Sequence, residues 1–375
     1  MRVLITGGAG FIGSWLSKEL IKQNIEVVIF DNLSPQVHGV NGDFALFQKQ
    51  NCFCIKGDIR DSELLSQAID KVEYVVHLAA ETGMGQSQYE IKKYFDVNVN
   101  GTANLLQILK TNPNNVKRIV LSSTGRIYGE GAHFCKKHGK IYPKFRDKNQ
   151  LLQRRWEVYC PVCDEPMSPL LCSEDDLSLP SSMYSITKLT QENMLKLFGE
   201  LYNFETVILR YQNVYGQGQS LKNPYTGVIS VFCTRYKNKL PAEIFEDGFP
   251  TRDFIHVSDI TRATIRSIFK EEISGKIINI GSGNPTSIIE VAKIIQHHFQ
   301  SEHSPIITGD FRLGDIRNMT ADIDNAKSIL GFHPEIDISD GLKQVVDWAL
   351  QQPNIDDTSH NALKEIKNNN LGSLL

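Results

Sequence analysis

Short apolar runs alternate with amphipathic stretches through the first half of this 375-residue chain. The runs are Val3–Ile5, Ile25–Phe30, Cys52–Ile55, Tyr74–Leu78 and Ile119–Leu121. Runs of this length, apolar throughout, are typical of parallel strands that are buried on both faces. Helical patterns lie between them, the longest over Ile91–Leu109. This alternation with short connections predicts an α/β fold built on a doubly wound parallel sheet.

Three glycines follow the first strand at a regular spacing, Gly7, Gly10 and Gly13. The first permits a tight turn, the second lets the backbone approach a pyrophosphate, and the third lets the next helix pack closely on the strand. The N-terminus of that helix offers free N–H groups and a partial positive charge to the anion. The loop therefore predicts a dinucleotide site.

The second strand ends at Asp31, and its carboxylate can accept hydrogen bonds from both hydroxyls of an adenosine ribose. It would repel a 2′-phosphate, which favours NAD over NADP. Thr6, Ala79 and Thr124 also stand where strands of the sheet end. Since ligands bind beyond the carboxyl ends of parallel strands, we expect the site at this edge.

Catalytic chemistry is indicated by Tyr184 and Lys188, in the sequence YSITK. Residues four apart on a helix share a face. An ammonium group beside a tyrosine lowers the phenol pKa from about 10 towards neutrality, which makes a usable general base. We expect Thr124 to supply a hydroxyl beside it.

With these motifs the chain resembles the extended short-chain dehydrogenases/reductases of the nucleotide-sugar epimerase/dehydratase type, from Met1 to about Leu350. The resemblance implies a Rossmann domain and a smaller C-terminal lobe that binds the substrate. It implies Thr124, Tyr184 and Lys188 as the catalytic set. The cofactor contacts that it implies are Gly7, Gly10, Phe11, Ile12, Gly13, Asp31, Asn32, Asp58, Ile59, Leu78, Ala79, Ala80, Asn98, Ser122, Tyr184, Lys188, Tyr211 and Val214.

The same resemblance implies where a nucleotide-diphosphate sugar binds. Its contacts would be Thr82, Thr124, Asn213, Asn223, Arg252, Arg312 and Asp315. Guanidinium groups suit diphosphate oxygens, and Asp315 would accept from a ribose hydroxyl. Arg317 is a further candidate cation. The predicted division is an NAD-binding domain over residues 1–210, a substrate lobe over 211–350 and a mobile tail over 351–375.

Members of the family differ in the residues that follow the catalytic hydroxyl. The 4,6-dehydratases carry Asp-Glu there, and the decarboxylases carry a glutamate, whereas this chain has Gly125-Arg126. The resemblance therefore implies oxidation and re-reduction at C4, an epimerisation through a 4-keto sugar. The segments Asp31–Gly39 and Asn223–Gly227 resemble those of dTDP-L-rhamnose 4-epimerases, which make dTDP-6-deoxy-L-talose. A UDP-sugar 4-epimerase acting on glucose, galactose or glucuronate is the alternative, and a non-catalytic NAD-binding regulator is a second.

Residues 131–176 form an insertion relative to the family, basic and irregular in sequence. It carries Cys135 and His138 in one short pair and Cys160 and Cys163 in another. This spacing is typical of a zinc knuckle, and we expect a structural zinc with all four positions filled by protein. Cys172 is the alternative to His138 as fourth ligand.

Composition limits the partners. A net charge of −3 gives no reason to expect nucleic acid or an anionic membrane. No apolar run reaches the roughly 18–20 residues that span a bilayer, and a first strand beginning at residue 2 leaves no room for a signal peptide. We therefore expect a cytoplasmic enzyme whose seven cysteines are reduced. Family resemblance further implies a homodimer formed by Ile91–Leu109 and the helix that carries Tyr184.

Overall fold

The computed structural model describes residues 1–223, 225–353, 355–357 and 359–373. Its largest element is a sheet of seven parallel strands in the order β13-β9-β5-β4-β1-β2-β3. In chain order the strands are β1 (Arg2–Thr6), β2 (Glu26–Asp31), β3 (Phe53–Lys56), β4 (Tyr74–His77), β5 (Arg118–Thr124), β6 (His133–Cys135), β7 (Gly139–Ile141), β8 (Ser168–Pro169), β9 (Glu205–Tyr211), β10 (Asn213–Tyr215), β11 (Glu243–Ile244), β12 (Thr251–His256), β13 (Ile277–Ile280), β14 (Pro285–Ser287), β15 (Ile306–Ile307), β16 (Phe311–Arg312), β17 (Asn318–Met319) and β18 (Gly372–Ser373).

Helices cover both faces of this sheet and build the second lobe. They are α1 (Phe11–Lys22), α2 (Pro35–His38), α3 (Ala45–Lys49), α4 (Ser62–Ile69), α5 (Met84–Ser87), α6 (Ile91–Tyr94), α7 (Gly101–Thr111), α8 (Lys148–Leu152), α9 (Met183–Tyr202), α10 (Val228–Lys237), α11 (Val257–Phe269), α12 (Ile288–Phe299), α13 (Asp324–Leu330), α14 (Ile338–Gln351) and α15 (Ser359–Asn368). A 3₁₀ turn spans Gly125–Tyr128. The prediction of a doubly wound α/β fold is confirmed.

Each central strand is buried on both faces. In β1, Val3 and Ile5 pack into one hydrophobic cluster, while Leu4 packs into the cluster on the opposite face. The alternation repeats in β5, where Val120 lies on the first face and Ile119 on the second. Period-two packing explains why these strands are apolar throughout.

The predicted helix over Ile91–Leu109 is interrupted by a turn of π-helix. α6 passes into the π-helical segment Phe95–Asn100 and then into α7 without leaving the helical path. It packs closely at Gly101 on the connection that follows β3, where a Cβ atom would lie 2.4 Å from Cγ2 of Ile59. A π turn rotates the residues beyond it, and such turns are frequent at functional sites.

The second lobe is smaller and is not continuous in sequence. A sheet of β10, β12, β14 and β17 packs with α10, α12 and α14 around a core that includes Phe232 and Phe254. Although β13 falls within the predicted lobe of residues 211–350, it is an edge strand of the large sheet. The second lobe therefore lies partly within the stretch of chain between β9 and β13 of the large sheet.

The insertion and the C-terminal segment lie beside the second lobe. β6, β7 and β8 form a small antiparallel sheet within the insertion. α15 and β18 fall within the predicted mobile tail, and β18 pairs with β16. Mobility of this segment stays a prediction. Within the described ranges, no helix combines the length and the apolar character needed to cross a membrane.

Candidate functional site

The glycine loop joins β1 to α1 and approaches β4 closely. Gly7 adopts φ +66°, and a Cβ atom there would lie 2.7 Å from the backbone nitrogen of Ala79. A Cβ atom on Gly13 would lie 2.5 Å from the carbonyl oxygen of Gly8, so only glycine lets α1 pack here. A Cβ atom on Gly10 would meet only the Gly7 oxygen, at 3.2 Å. The outer side of the loop is open to a pyrophosphate.

The N-terminus of α1 is arranged to bind an anion. Gly10 is its N-cap, and no side chain in the described part of the chain caps it. The first N–H groups, of Phe11, Ile12 and Gly13, therefore lack a capping partner. These observations fit the pyrophosphate of NAD.

Asp31 lies at the end of β2, buried and held by the backbone. Its Oδ2 accepts from Ala9 N at 3.0 Å, and its Oδ1 accepts from Leu33 N at 2.8 Å. Both contacts fix a negative charge next to the glycine loop, where an adenosine ribose would lie. The neighbouring Asn32 is exposed and accepts from Ser34 N. This geometry suits NAD and opposes the 2′-phosphate of NADP.

The predicted adenine contacts follow β3. Asp58 accepts from both Nε and Nη2 of Arg60, at 2.7 Å each, and this hydrogen bonding lowers the pKa of Asp58. Ile59 is buried beneath it. Sequence reasoning did not include Arg60, which holds this carboxylate ionised.

Beyond β4, Leu78, Ala79 and Ala80 face the glycine loop. Leu78 N donates to Thr6 O at 3.0 Å, which ties the two strand ends together. Asn98 was expected to contact the cofactor directly. Instead its amide nitrogen donates to Glu81 O at 3.1 Å and to Thr187 Oγ1 at 2.9 Å, so both N–H donors are used within the protein. Asn98 braces this loop against α9.

Thr124 is the last residue of β5, and Tyr184 lies beside it in the first turn of α9. Ser182 caps α9 through a reciprocal pair with Ser185, which fixes the first turn and hence the Tyr184 side chain. The Thr124 and Tyr184 side chains line the same cavity, close enough for the Thr124 hydroxyl to lower the pKa of Tyr184. One turn further along, Lys188 Nζ donates to the Ser122 carbonyl at 2.6 Å. The structure thus brings the three predicted catalytic residues together at one end of the sheet; their catalytic roles stay a prediction.

Their electrostatics differ from the expectation. Burial raises the pKa of Tyr184 to about 12, against the opposing effects of the Thr124 hydrogen bond and the Arg126 charge. Burial lowers the pKa of Lys188 to about 7, opposed by Glu192. The predicted lowering of the Tyr184 pKa by Lys188 is therefore wrong for this arrangement. The reason is that burial dominates the pKa of Tyr184, and Arg126 rather than Lys188 is the cation that opposes it.

A buried ion pair between Glu192 and Arg210 anchors α9 to the sheet. Glu192 accepts from Arg210 Nη2 at 2.8 Å and from Nε at 3.1 Å, and it also accepts from the Ser123 hydroxyl. This network joins α9 to β5 and β9, the elements that carry Tyr184, Thr124 and Tyr211. Because these residues are far apart in the chain, the sequence alone does not predict that they contact one another.

One cavity of about 400 Å³ opens beside Tyr184 and extends between the two lobes. The predicted residues that line it are Thr82, Thr124, Tyr184, Tyr211, Asn213, Val214, Arg252, Arg312 and Asp315. Lining residues that the sequence did not single out include Gln212, Tyr225, Phe232 and Glu246. Arg126 also lines it, and its Nη1 atom is buried with no hydrogen-bond partner among the described residues.

Opposite charges meet at the far end of this cavity. Arg252 Nη2 donates to Asp315 Oδ1 at 3.0 Å. Burial acts to raise the pKa of Asp315, but Arg252 and then Arg312 outweigh it and bring the pKa down to about 2. Two cations beside one ionised carboxylate are the groups expected for a diphosphate and a ribose hydroxyl.

Two predicted substrate contacts lie elsewhere. Asn223 does not line the cavity; its Oδ1 accepts from Tyr225 N at 3.1 Å and shapes the turn that brings Tyr225 to the wall. Pro224, between them, lies outside the described residues. Arg317 is buried and donates to Asp247 and Glu157, so it does not serve as a diphosphate cation.

The four predicted metal ligands come together in the insertion. Donor atoms of Cys135, His138, Cys160 and Cys163 all lie within 4.8 Å of one another. His138 Nδ1 is 3.5 Å from Sγ of both Cys135 and Cys160, and the sulfurs of Cys135 and Cys163 are 3.7 Å apart. A tetrahedral zinc with Zn–S of about 2.3 Å and Zn–N of about 2.0 Å needs edges of about 3.5–3.8 Å. These three donor–donor distances match that geometry.

Cys172, the alternative fourth ligand, is outside this cluster. It packs with Ile127, Tyr128, Ile316 and Met319, and its N–H donates to Thr320 O at 2.9 Å. Burial raises the pKa of its thiol to about 12. His138 completes the set, and Cys172 belongs to the hydrophobic core between the insertion and the second lobe.

Known proteins resemble this chain over most of its length. The model of the NAD dependent epimerase/dehydratase family matches residues 3–148 and 157–281. The chain belongs to this family. It is 35% identical over 356 residues to a dTDP-L-rhamnose 4-epimerase of Burkholderia thailandensis, covering 94% of this chain and 95% of the relative. A putative UDP-glucose 4-epimerase of Methanocaldococcus jannaschii is also 35% identical, over 92% of this chain and 97% of the relative.

Solved structures support the same family. A mutant UDP-glucuronic acid 4-epimerase from Bacillus cereus, in complex with UDP-4-deoxy-4-fluoro-glucuronic acid and NAD, superposes with a TM-score of 0.77 at 26% identity. The alignment covers 94% of this chain and 99% of that one. The resemblance inferred from the glycine loop and the YSITK sequence is confirmed.

Denaturing the purified protein should release NAD, because Asp31 opposes a 2′-phosphate. Chromatography of the released nucleotide checks this. Asp31→Asn removes the charge and should admit NADP, whereas the exposed Asp70→Asn should leave the preference unchanged. Recovery of NADP from the unmodified protein would contradict the assignment.

Proposed function

We propose that this protein is an NAD-dependent nucleotide-sugar 4-epimerase that converts dTDP-L-rhamnose to dTDP-6-deoxy-L-talose. The observation that carries the proposal is the placement of Thr124 and Tyr184 in the cavity whose far end holds Arg252, Arg312 and Asp315. A sugar whose diphosphate met these arginines would extend towards the two hydroxyl groups. Gly125 and Arg126 offer no carboxylate for elimination or for deprotonation at C5.

Proton transfer in this mechanism belongs to Tyr184. Its phenol oxygen takes the proton of the C4 hydroxyl during oxidation and returns it during reduction. Thr124 hydrogen-bonds the same oxygen, and Lys188, one turn further along α9, would hold the cofactor ribose. The glycine loop, Asp31 and the end of β4 would hold NAD, which when bound would supply hydride acceptance and return at C4 without net consumption.

The role of Tyr184 requires its pKa to fall when it acts. Arg126 is the cation that works in this direction within the structure. Its own pKa is lowered to about 9 by burial and by Arg252. A buried guanidinium with an unpartnered nitrogen gains from any negative charge that forms beside it, a phenolate included.

Arg126 also favours a second candidate substrate. An unpartnered Nη1 atom beside Thr124 and Tyr184 would suit a carboxylate on the sugar, as in a UDP-glucuronate. A 6-deoxy sugar would leave that donor for the phenolate. The two candidates therefore differ in what Arg126 binds.

Tyr184→Phe should lower turnover by at least roughly 10²–10⁴-fold, because it removes the base and keeps the ring. NAD content and thermal unfolding should stay unchanged. Tyr202→Phe, on the exposed side of the same helix, is the matched control. In D₂O the product should carry no deuterium at C3 or C5. Near-normal turnover in Tyr184→Phe, or deuterium at those carbons, would contradict the mechanism.

Arg126→Met tests the electrostatic part of this mechanism. Loss of the cation raises the pKa of Tyr184, and the base is active when deprotonated, so the pH profile of kcat should move to higher pH. The Thr124→Val variant should lower activity less than Tyr184→Phe, since a hydrogen bond is lost and the proton acceptor remains. A pH profile unchanged in Arg126→Met would exclude Arg126 from this role.

A panel of nucleotide sugars with NMR of the products tests the substrate. We expect turnover of dTDP-L-rhamnose at C4. Turnover of UDP-glucuronate instead, with a KM that rises sharply in Arg126→Met, would replace the proposed substrate by the second candidate. Absence of turnover across the panel, with NAD retained, would favour a non-catalytic NAD-binding regulator.

We propose further that the insertion binds one structural zinc through Cys135, His138, Cys160 and Cys163. The donor spacing supports this site, and a set of four protein ligands leaves no position for substrate. The metal would therefore stabilise the insertion without entering the chemistry. A cytoplasmic location, where these cysteines would be reduced, stays a prediction.

Metal analysis of protein purified without chelator should find one zinc per chain. Cys163→Ser should lose it and lower the unfolding temperature, since zinc binding contributes folding free energy. Cys54→Ser, at a half-buried cysteine outside the cluster, should keep the metal. A metal-free protein with a protease-resistant insertion would contradict the site.

We propose a homodimer formed through α9 and the helix of α6 and α7. Apolar side chains stand exposed on α9, with Leu197 at 56% and Leu201 at 64% relative exposure. The pair is one helical turn apart, so both lie on one face. A second copy of the same helices would cover them.

Light scattering should therefore give a dimer at micromolar concentration. Introducing charge with Leu197→Glu and Leu201→Glu should produce a folded monomer. Leu46→Glu, on α3 and equally exposed to solvent, should leave the dimer intact. A monomer before any substitution would refute this interface.

A further inference from the structure

We propose that Arg146 is a positioning residue through which the insertion holds the nucleotide end of the substrate cavity. The inference rests on the proposed nucleotide-sugar site and on the proposed zinc. It gives the insertion a role: metal occupancy would set the affinity for the nucleoside diphosphate part of the substrate.

The guanidinium of Arg146 is buried and reaches two residues of the cavity wall. Its Nη1 and Nη2 donate to the two carboxylate oxygens of Glu246 at 2.7 and 2.9 Å. Nη2 also donates to the backbone oxygen of Asp315 at 3.0 Å. Glu246 and Asp315 both line the cavity. A bidentate pair with a buried guanidinium fixes position and direction together.

Arg146 also makes hydrogen bonds within the insertion and to Glu130, the residue that directly precedes the insertion. Nη1 donates to the carbonyl of Trp156 at 2.9 Å, and Nε donates to Glu130 Oε1 at 3.3 Å. The other oxygen of Glu130 accepts from Arg317 N at 2.8 Å. The segment from Asp315 to Arg317 is therefore held from both directions, by Arg146 and by Glu130.

Backbone conformation at Glu246 indicates that this contact maintains strain. Glu246 has φ +54°, in the left-handed region that a glutamate seldom adopts. Such residues persist where their surroundings over-determine them. Arg146 and Arg317 both bind its carboxylate, so they hold a conformation that the segment would otherwise avoid.

The metal ligands enclose the loop that supplies these contacts. Arg146 and Trp156 lie between His138 and Cys160, and the proposed zinc would join the two ends of that loop. Without the metal the loop gains conformational freedom, and ordering it on substrate binding costs entropy. Asp315 pairs with Arg252, so displacement of its backbone would also move a predicted diphosphate contact.

If the ion pairs of Arg146 were purely structural, losing them would lower the stability of the protein and leave its affinity for the nucleotide unchanged. Arg146→Lys separates the two roles, because it keeps a positive charge beside Glu246 and Glu130 and so protects the fold. It loses the fork that reaches Asp315. The matched control is Arg155→Lys, in the same insertion, whose Nη2 pairs with exposed Asp164 at 2.7 Å and which does not line the cavity.

The experiment measures binding of UDP and of dTDP to the NAD-loaded protein by calorimetry, with NAD content, zinc content and kinetics of each variant. In Arg146→Lys we expect the Kd of the bound nucleotide and the KM of the sugar substrate to rise by about tenfold, the size of one lost charge-assisted hydrogen bond. NAD content and kcat should stay within about twofold. Removing zinc from the unmodified protein should raise the Kd similarly, and doing so in Arg146→Lys should add little.

Unchanged nucleotide affinity in Arg146→Lys would overturn the inference, as would an equal loss in Arg155→Lys. If zinc removal and Arg146→Lys raised the Kd of the nucleotide by fully additive factors, the metal would not act through Arg146. That result would also overturn the inference. Nucleotide binding is measured without turnover. Failure of the proposed epimerase activity would therefore appear in the sugar panel and leave this comparison readable.

Discussion

Burial of the central strands on both faces is the constraint from which the site follows. All seven strands of the sheet run in one direction, and parallel neighbours need crossover connections, which place helices on both faces and bury the central strands. Their carboxyl ends consequently meet at one edge. The glycine loop, Asp31, the Leu78–Ala80 turn and Thr124 come from four different strands, and only this topology gathers them.

Those features were also the ones that the sequence predicted well. An apolar run, a glycine spacing and a Tyr–Lys pair on one helix are local patterns, and each records a local geometric demand. Cys135, His138, Cys160 and Cys163 could be grouped for the same reason, since short pairs bring donors together within a turn. The fourth ligand remained open between His138 and Cys172 because only packing shows that Cys172 is in the core.

The places of three other residues depend on which buried groups face one another. Arg317 was a candidate diphosphate cation by its charge and position, but three carboxylates from distant segments surround it. Asn98 was assigned to the cofactor, yet its amide braces a loop. Arg146 lies in a basic segment with no pattern that marks it, although it pairs with a carboxylate 100 residues away. Local patterns carry no information on such long-range pairs.

Electrostatics couple the two ends of the cavity. Arg126 lies between the hydroxyl pair and the Arg252–Asp315 pair, and its own pKa responds to Arg252 and Asp315 as well as to Tyr184. Arg252 lowers the pKa of Arg126 and Asp315 raises it, so the Arg252–Asp315 pair belongs to the electrostatic surroundings of the cation that acts on Tyr184. The contacts that hold Asp315 in place therefore act directly on the nucleotide end of the cavity, and they reach the reacting atoms only through Arg126.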